Sequence, residues 1–202
     1  MILGLENFDR VKETFDLCKQ CNGEILSAFE FWDLESMNLA LSQMEYLRNP
    51  FSEIYPFYVL IETSGSNKDH DSDKLATFLE SVMEKQIAKD GVFAQDASQA
   101  QAFWLIRESI PEACTKLGPV YKYDISLPMR SIYTIVEKMR SEPSVSGKNG
   151  KVVGFGHLGD GNLHLNIMLP ETSYDAAFAK TIDPIIYDYT GNINLMGFKL
   201  KI

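Results

Sequence analysis

The segment 154–166, with the sequence GFGHLGDGNLHLN, constrains the fold more than any other part of the chain. Its glycines match the G-x-G-x-x-G spacing of a dinucleotide-binding loop, but such a loop must open a helix. Here the glycines precede the alternating run LHLNIML, which is typical of a β-strand. Asp160-Gly161 is a strong signal for a two-residue hairpin turn. The segment therefore predicts a β-hairpin and an antiparallel sheet.

The predicted hairpin brings together two of the three histidines of the chain. With the turn at Asp-Gly, His157 lies directly opposite His164, and the Cβ atoms of such a pair are about 5 Å apart. Because side chains alternate along a strand, Asn162 and Asn166 share the face of the histidines. Two imidazoles at this distance are able to share a divalent metal, although a catalytic zinc usually has three protein ligands. Two ordinary surface histidines beside a turn are the alternative.

Helices and strands alternate along the rest of the chain. Apolar spacing predicts helices over 7–21, 33–47, 73–89, 98–113, 128–140 and 173–190, and strands over 23–33, 55–65 and 119–127, with two more within 152–169. This succession predicts an α+β fold of the ferredoxin-like kind, with a mainly antiparallel sheet and helices packed on one face.

Two basic residues are candidates for binding a carboxylate. Arg107 falls on the helix over 98–113, and alternation in YKYDIS places Lys122 on the face opposite the neighbouring tyrosines. If both side chains point to the histidine face, they are able to bind a carboxylate. The arginine guanidinium forms two parallel hydrogen bonds to it, and the lysine ammonium attracts it as a single positive charge. For each of them, a solvated surface charge is the alternative.

Composition excludes several classes of partner. The chain of 202 residues has 28 Asp and Glu against 19 Lys and Arg, a formal net charge of −9. Nucleic acids and anionic membranes are not expected partners, because phosphate binding needs a basic surface. No apolar run approaches the about 18 residues that a membrane span requires. The three cysteines and the absence of a secretory leader favour a reducing compartment.

Four segments resemble the C-terminal substrate domain of FAD-linked hydroxyacid dehydrogenases in the vanillyl-alcohol-oxidase flavoprotein superfamily, and within it the D-2-hydroxyglutarate dehydrogenases. They are GEILSAFEFWD (23–33), RESIPEA (107–113), YKYDISLP (121–128) and GHLGDGNLHLN (156–166), the last being the most specific. The resemblance covers residues 1–190. It implies a domain over 1–190 that binds substrate and metal and a divergent tail over 191–202, while the FAD-binding domain of the family is absent from the chain.

The resemblance implies a mitochondrial flavoenzyme that oxidises D-2-hydroxyglutarate to 2-oxoglutarate and passes electrons to an electron-accepting flavoprotein. It also implies that His157 and His164 bind a divalent metal, usually zinc. Arg107 and Lys122 match residues that hold substrate carboxylates, and Asn166 matches a polar substrate contact. Asn162 is a secondary candidate because it shares the histidine face.

The chain departs from the resemblance in three places. No segment resembles the flavin-binding domain, no Ser-x-x-x-Glu-His-Gly stretch follows the last predicted helix to supply a third metal ligand and a base, and Pro111 stands where a threonine is usual. We therefore expect this chain to be a fragment that does not catalyse the reaction alone. Two alternatives are a D-lactate dehydrogenase of the same superfamily and a truncated, non-catalytic module that pairs with a full-length enzyme.

Overall fold

A computed structural model describes residues 1–170 and 173–199. The strands are β1 (Ile2–Leu5), β2 (Leu26–Asp33), β3 (Phe57–Thr63), β4 (Asp90–Val92), β5 (Val120–Ser126), β6 (Lys151–His157) and β7 (Asn162–Met168). The helices are α1 (Phe8–Asn22), α2 (Leu34–Gln43), α3 (Lys68–Glu84), α4 (Ala97–Leu117), α5 (Thr134–Ser141), α6 (Pro143–Ser146) and α7 (Ala176–Lys199). In this part of the chain, no helix has both the length and the apolarity to cross a bilayer.

The strands form one sheet in the order β4-β1-β3-β2-β6-β7-β5, and every neighbouring pair is antiparallel. The first unit, β1-α1-β2-β3-α3-β4 with α2 inserted after β2, follows the β-α-β-β-α-β succession of ferredoxin-like folds. The second unit, from β5 to α7, repeats this succession as far as its second helix, with the short α6 added after α5. The two units join where β2 pairs with β6, with Glu30 opposite His157 and Trp32 opposite Phe155.

Helices cover both faces of this sheet. On one face, α1, α3, α5, α6 and α7 pack over sheet residues such as Phe31 and Leu165. On the other face, α2 and α4 pack over Trp32 and Phe155. The α+β fold and the antiparallel sheet are thus confirmed, whereas the expectation of helices on a single face is wrong. Because consecutive residues of β2 and β3 are apolar, both faces of these strands need a cover.

A buried carboxylate ties the two units together. Asp33, which is 1% exposed, caps α2 by accepting a hydrogen bond from the Ser36 backbone N–H at 2.8 Å. Its Oδ2 accepts three more, from Gly154 N at 2.9 Å, Tyr133 Oη at 2.9 Å and Arg140 Nη2 at 2.7 Å. The end of β2 is therefore fixed to α5 and to β6.

The hairpin of β6 and β7 has a register different from the predicted one. His157 pairs with Asn162, and His164 pairs with Phe155, so four residues connect the strands instead of two. The Gly161 N–H donates to the Leu158 carbonyl at 3.3 Å and closes a turn over residues 158–161. Since the pairing shifts by two residues, every side chain keeps its predicted face. The two histidines are diagonal neighbours on that face, and the predicted direct pairing is wrong.

The last helix is longer than predicted. It runs from Ala176 to Lys199, so residues 191–199 of the predicted tail continue α7. Residues 200–202 lie outside the described part of the chain.

Candidate functional site

The structure brings four of the predicted site residues to one cavity of about 240 Å³, between α4 and the strands β5, β6 and β7. These are Arg107, Lys122, His164 and Asn166. The remaining wall consists of Pro111, Tyr123, Asp124 and Phe155. Drug-sized ligands occupy sites of about 300–1,000 Å³, so this cavity suits a smaller metabolite.

The pairing of β5 with β7 positions the polar wall. Lys122 lies opposite Asn166, and Asp124 lies opposite His164. Among the described residues, the Lys122 side chain has no hydrogen-bond or ion-pair partner, and the residue is exposed. Asn166 is buried, and its Nδ2 lies 3.6 Å from the Cys114 Sγ of α4. The cavity is thus lined by an amide and by an ammonium group that has no partner in the part of the chain that the structure describes.

Arg107 reaches the same cavity from α4. The residue is 7% exposed, and its Nε donates to Glu30 Oε2 at 2.9 Å. Its guanidinium carbon lies 4.7 Å from the centroid of the Phe155 ring. Burial lowers the pKa of Arg107, and the nearby Glu30 carboxylate opposes that shift. Within the described residues, its two terminal nitrogens have no partner, so they are available to a carboxylate ligand.

The two hairpin histidines lie side by side. Their ring centroids are 5.4 Å apart, and the rings meet at 82°. The Nδ1 of His157 makes a hydrogen bond with Glu30 Oε1, whereas the Nδ1 of His164 lies 3.5 Å from Asp124 Oδ1. Burial lowers the pKa of His164, and the charge of Arg107 lowers it further. Both effects favour the neutral imidazole of His164, and the Asp124 carboxylate opposes them.

These histidines resemble part of a metal site. Histidines that bind metals usually direct their other ring nitrogen to a carboxylate or carbonyl, and here each Nδ1 lies beside a carboxylate. A catalytic zinc usually has three protein ligands. In residues 1–170 and 173–199, however, no group of three or more His, Cys, Asp or Glu is arranged to hold a metal. The donor set in the described chain is thus incomplete.

Asn162 and His157 flank the cavity instead of lining it. The Asn162 Nδ2 donates to Asp124 Oδ1 at 2.6 Å, while its Oδ1 is buried without a partner among the described atoms. Sequence reasoning missed Glu30 and Asp124 as neighbours of the histidines. The signal for Glu30 was present, because a charged residue inside the apolar run AFEFW is expected to be buried and paired.

Comparison with known proteins identifies the family of the chain. Residues 1–194 match the family described as FAD linked oxidases, C-terminal domain. The chain belongs to this family. The resemblance of the four sequence segments to the C-terminal domain of FAD-linked enzymes is thereby confirmed.

Several curated relatives of this FAD-linked oxidase domain are similar over most of the chain. The mitochondrial D-2-hydroxyglutarate dehydrogenase of Danio rerio is 48% identical over 93% of this chain and 34% of its own length. The protein of the same name from Arabidopsis thaliana is 51% identical over 83% of the chain and 29% of its own length. A putative mitochondrial D-lactate dehydrogenase of Schizosaccharomyces pombe is 39% identical over 92% of the chain and 36% of its own length. The chain thus spans about a third of the length of these relatives.

Proposed function

We propose that the chain is the substrate-binding domain of an FAD-dependent, mitochondrial D-2-hydroxyglutarate dehydrogenase, which oxidises D-2-hydroxyglutarate to 2-oxoglutarate. The observation that carries the proposal is that two cationic side chains, Arg107 and Lys122, line one small cavity. A dicarboxylate places one negative charge near each of them. Family membership and the names of the relatives support the flavin and the substrate.

The residues of the cavity have separate tasks in this proposal. The terminal nitrogens of Arg107 bind one carboxylate as a two-pronged fork, and Lys122 binds the other as a point charge. The Asn166 amide hydrogen-bonds the acid between them, and Phe155 contacts its methylene groups. Fixing both ends of the acid orients C2 and its hydroxyl, which lowers the entropic part of the barrier. The flavin supplies the hydride acceptor when it is bound.

We further propose that His157 and His164 contribute two ligands to a divalent metal, zinc, and that groups other than the described residues complete its coordination. The lowered pKa of His164 supports this proposal, because a metal binds the neutral imidazole through its lone pair. In the same proposal, the flavin is bound mainly by the two-thirds of such a protein that this chain does not span, and an electron-accepting flavoprotein removes its electrons.

A D-lactate dehydrogenase is the second candidate, and the Schizosaccharomyces pombe relative favours it. D-Lactate has one carboxylate, so it leaves one cation of the cavity without a partner. Lys122 therefore distinguishes the two substrates. Because it is exposed and has no partner among the described residues, its replacement should leave the fold intact.

The test is a calorimetric measurement of the binding of D-2-hydroxyglutarate and D-lactate to the chain and to Lys122→Met. A hydrogen bond to a charged group contributes about 1.5–3 kcal/mol. The substitution should therefore weaken D-2-hydroxyglutarate binding by about 10- to 150-fold and leave D-lactate binding nearly unchanged. Lys138→Met on α5, on the other face of the sheet, is the matched control. Equal affinity for both acids, or no effect at Lys122, would contradict the dicarboxylate assignment.

A further inference from the structure

Glu30 is a buried acid at the junction of the two units. It lies in β2 directly opposite His157 of β6, and the residue is 3% exposed. A buried carboxylate is costly unless it is paired and hydrogen-bonded. Its presence inside the apolar run of β2 therefore calls for a specific role.

The two oxygens of Glu30 have different partners. Oε2 accepts the hydrogen bond from Arg107 Nε at 2.9 Å, and Oε1 contacts His157 Nδ1. A carboxylate that only neutralised Arg107 would take both oxygens to the guanidinium, in the usual two-pronged geometry. Glu30 instead divides its oxygens between two residues of the candidate site.

We propose that Glu30 is a positioning residue that sets the tautomer of His157 and the direction of the Arg107 fork. This inference rests on the proposed function only for its consequence for the substrate. An ionised carboxylate accepts hydrogen bonds and donates none, so His157 carries its proton on Nδ1. The lone pair of His157 is then on Nε2, the nitrogen that is free to meet a ligand. Arg107 is held through Nε, which leaves its two terminal nitrogens for the acid.

The substitution Glu30→Gln separates the effect on the His157 tautomer from the effect on the Arg107 guanidinium. Arginine has only donors, so the amide oxygen of the introduced glutamine must face Arg107 Nε. The amide NH₂ must then face His157 and donate to Nδ1. The substitution therefore moves the His157 proton to Nε2 while it retains the hydrogen bond to Arg107.

Nuclear magnetic resonance of ¹⁵N-histidine-labelled chain reads the tautomer directly, because the two-bond ¹H–¹⁵N correlations differ between the tautomers. The chain has three histidines, and exposed His70 on α3 is an internal reference. At pH 8 we expect His157 to be protonated on Nδ1 in the unsubstituted chain and on Nε2 in Glu30→Gln. The control Glu108→Gln removes an exposed carboxylate next to Arg107 and should leave the tautomer unchanged. Protonation of His157 on Nε2 in the unsubstituted chain would overturn the proposal without any variant.

A second measurement tests the consequence for the ligand. In chain kept free of metal with a chelator, an Nε2 lone pair accepts a hydrogen bond from the hydroxyl of D-2-hydroxyglutarate, whereas an Nε2–H group donates to the carbonyl of 2-oxoglutarate. The ratio of the two dissociation constants should therefore shift by about fivefold or more toward 2-oxoglutarate in Glu30→Gln. An inverted tautomer with an unchanged ratio supports the role of Glu30 in setting the tautomer and contradicts the consequence for the substrate, because it places the hydroxyl away from His157. An unchanged tautomer overturns the inference whatever the ratio.

Discussion

Replacement of Asp33 by asparagine should be among the most destabilising single changes in this fold. The asparagine oxygen can still cap α2 through Ser36, but its NH₂ then faces three hydrogen-bond donors. Tyr133 is able to turn its hydroxyl and accept, whereas Arg140 and the Gly154 N–H are not. The substitution leaves a buried N–H without an acceptor and removes the carboxylate that faces the guanidinium.

The size of this effect follows from burial. Removing one partner of a buried ion pair costs about 3–5 kcal/mol. The Arg140 side chain is 34% exposed, and it keeps hydrogen bonds to the Val152 carbonyl and to Tyr133, so we expect the low end, about 3 kcal/mol. That is a large share of the about 5–15 kcal/mol by which a domain is usually stable.

Urea denaturation followed by circular dichroism measures this loss as the change in the free energy of unfolding. A double-mutant cycle with Arg140→Met isolates the contribution of the ion pair. If Asp33→Asn costs less than about 1 kcal/mol, the three hydrogen bonds to Asp33 Oδ2 do not hold the units together as argued.

Two further predictions concern glycines and cysteines. A Cβ atom at Gly156 would lie 2.2 Å from the Asn162 carbonyl oxygen, whereas one at Gly159 has no atom within 4 Å. Gly156→Ala should therefore cost about 2 kcal/mol or more in urea denaturation and Gly159→Ala less than about 0.5 kcal/mol, and equal losses would show that the hairpin backbone is not that close. Burial raises the pKa of Cys18 and Cys114 to about 11, and Cys21 is exposed. At pH 8 one thiol should react rapidly with Ellman's reagent in the folded chain and three in urea; a rapid reaction that survives Cys21→Ser would contradict this assignment.

The sequence predicts correctly that the two hairpin histidines share one face of the sheet, but it does not predict which residues pair across the hairpin. Strand alternation has a period of two residues, so His157 and His164 share a face in either of two registers that differ by two residues. The register itself depends on the turn, and here the Leu158 carbonyl and Gly161 N–H close a turn that makes Asp-Gly the second half of a longer loop. Local turn propensity does not distinguish these two cases.

Other parts of the fold depend on contacts between distant segments. The strands β1 and β4 have 4 and 3 residues, which is too short for periodicity to identify them. The helix over 98–113 was predicted, but the rotation that turns Arg107 toward the cavity comes from the packing of α4 on α2 and the sheet. The hydrogen bond of Glu30 joins residues 77 positions apart in the chain, and no local pattern contains that information.

The joint between β2 and β6 also has a consequence for motion. Its ladder has only three residue pairs, so a local opening of the chain at this joint breaks few backbone contacts. Glu30 lies on one side of the joint and His157 on the other, which means that such an opening breaks the contact between them. If an acid binds beside this contact as proposed, opening of the joint weakens its binding, so a saturating concentration of the acid raises the free energy of opening. The proposed ligand would then couple the two ferredoxin-like units in addition to the polypeptide.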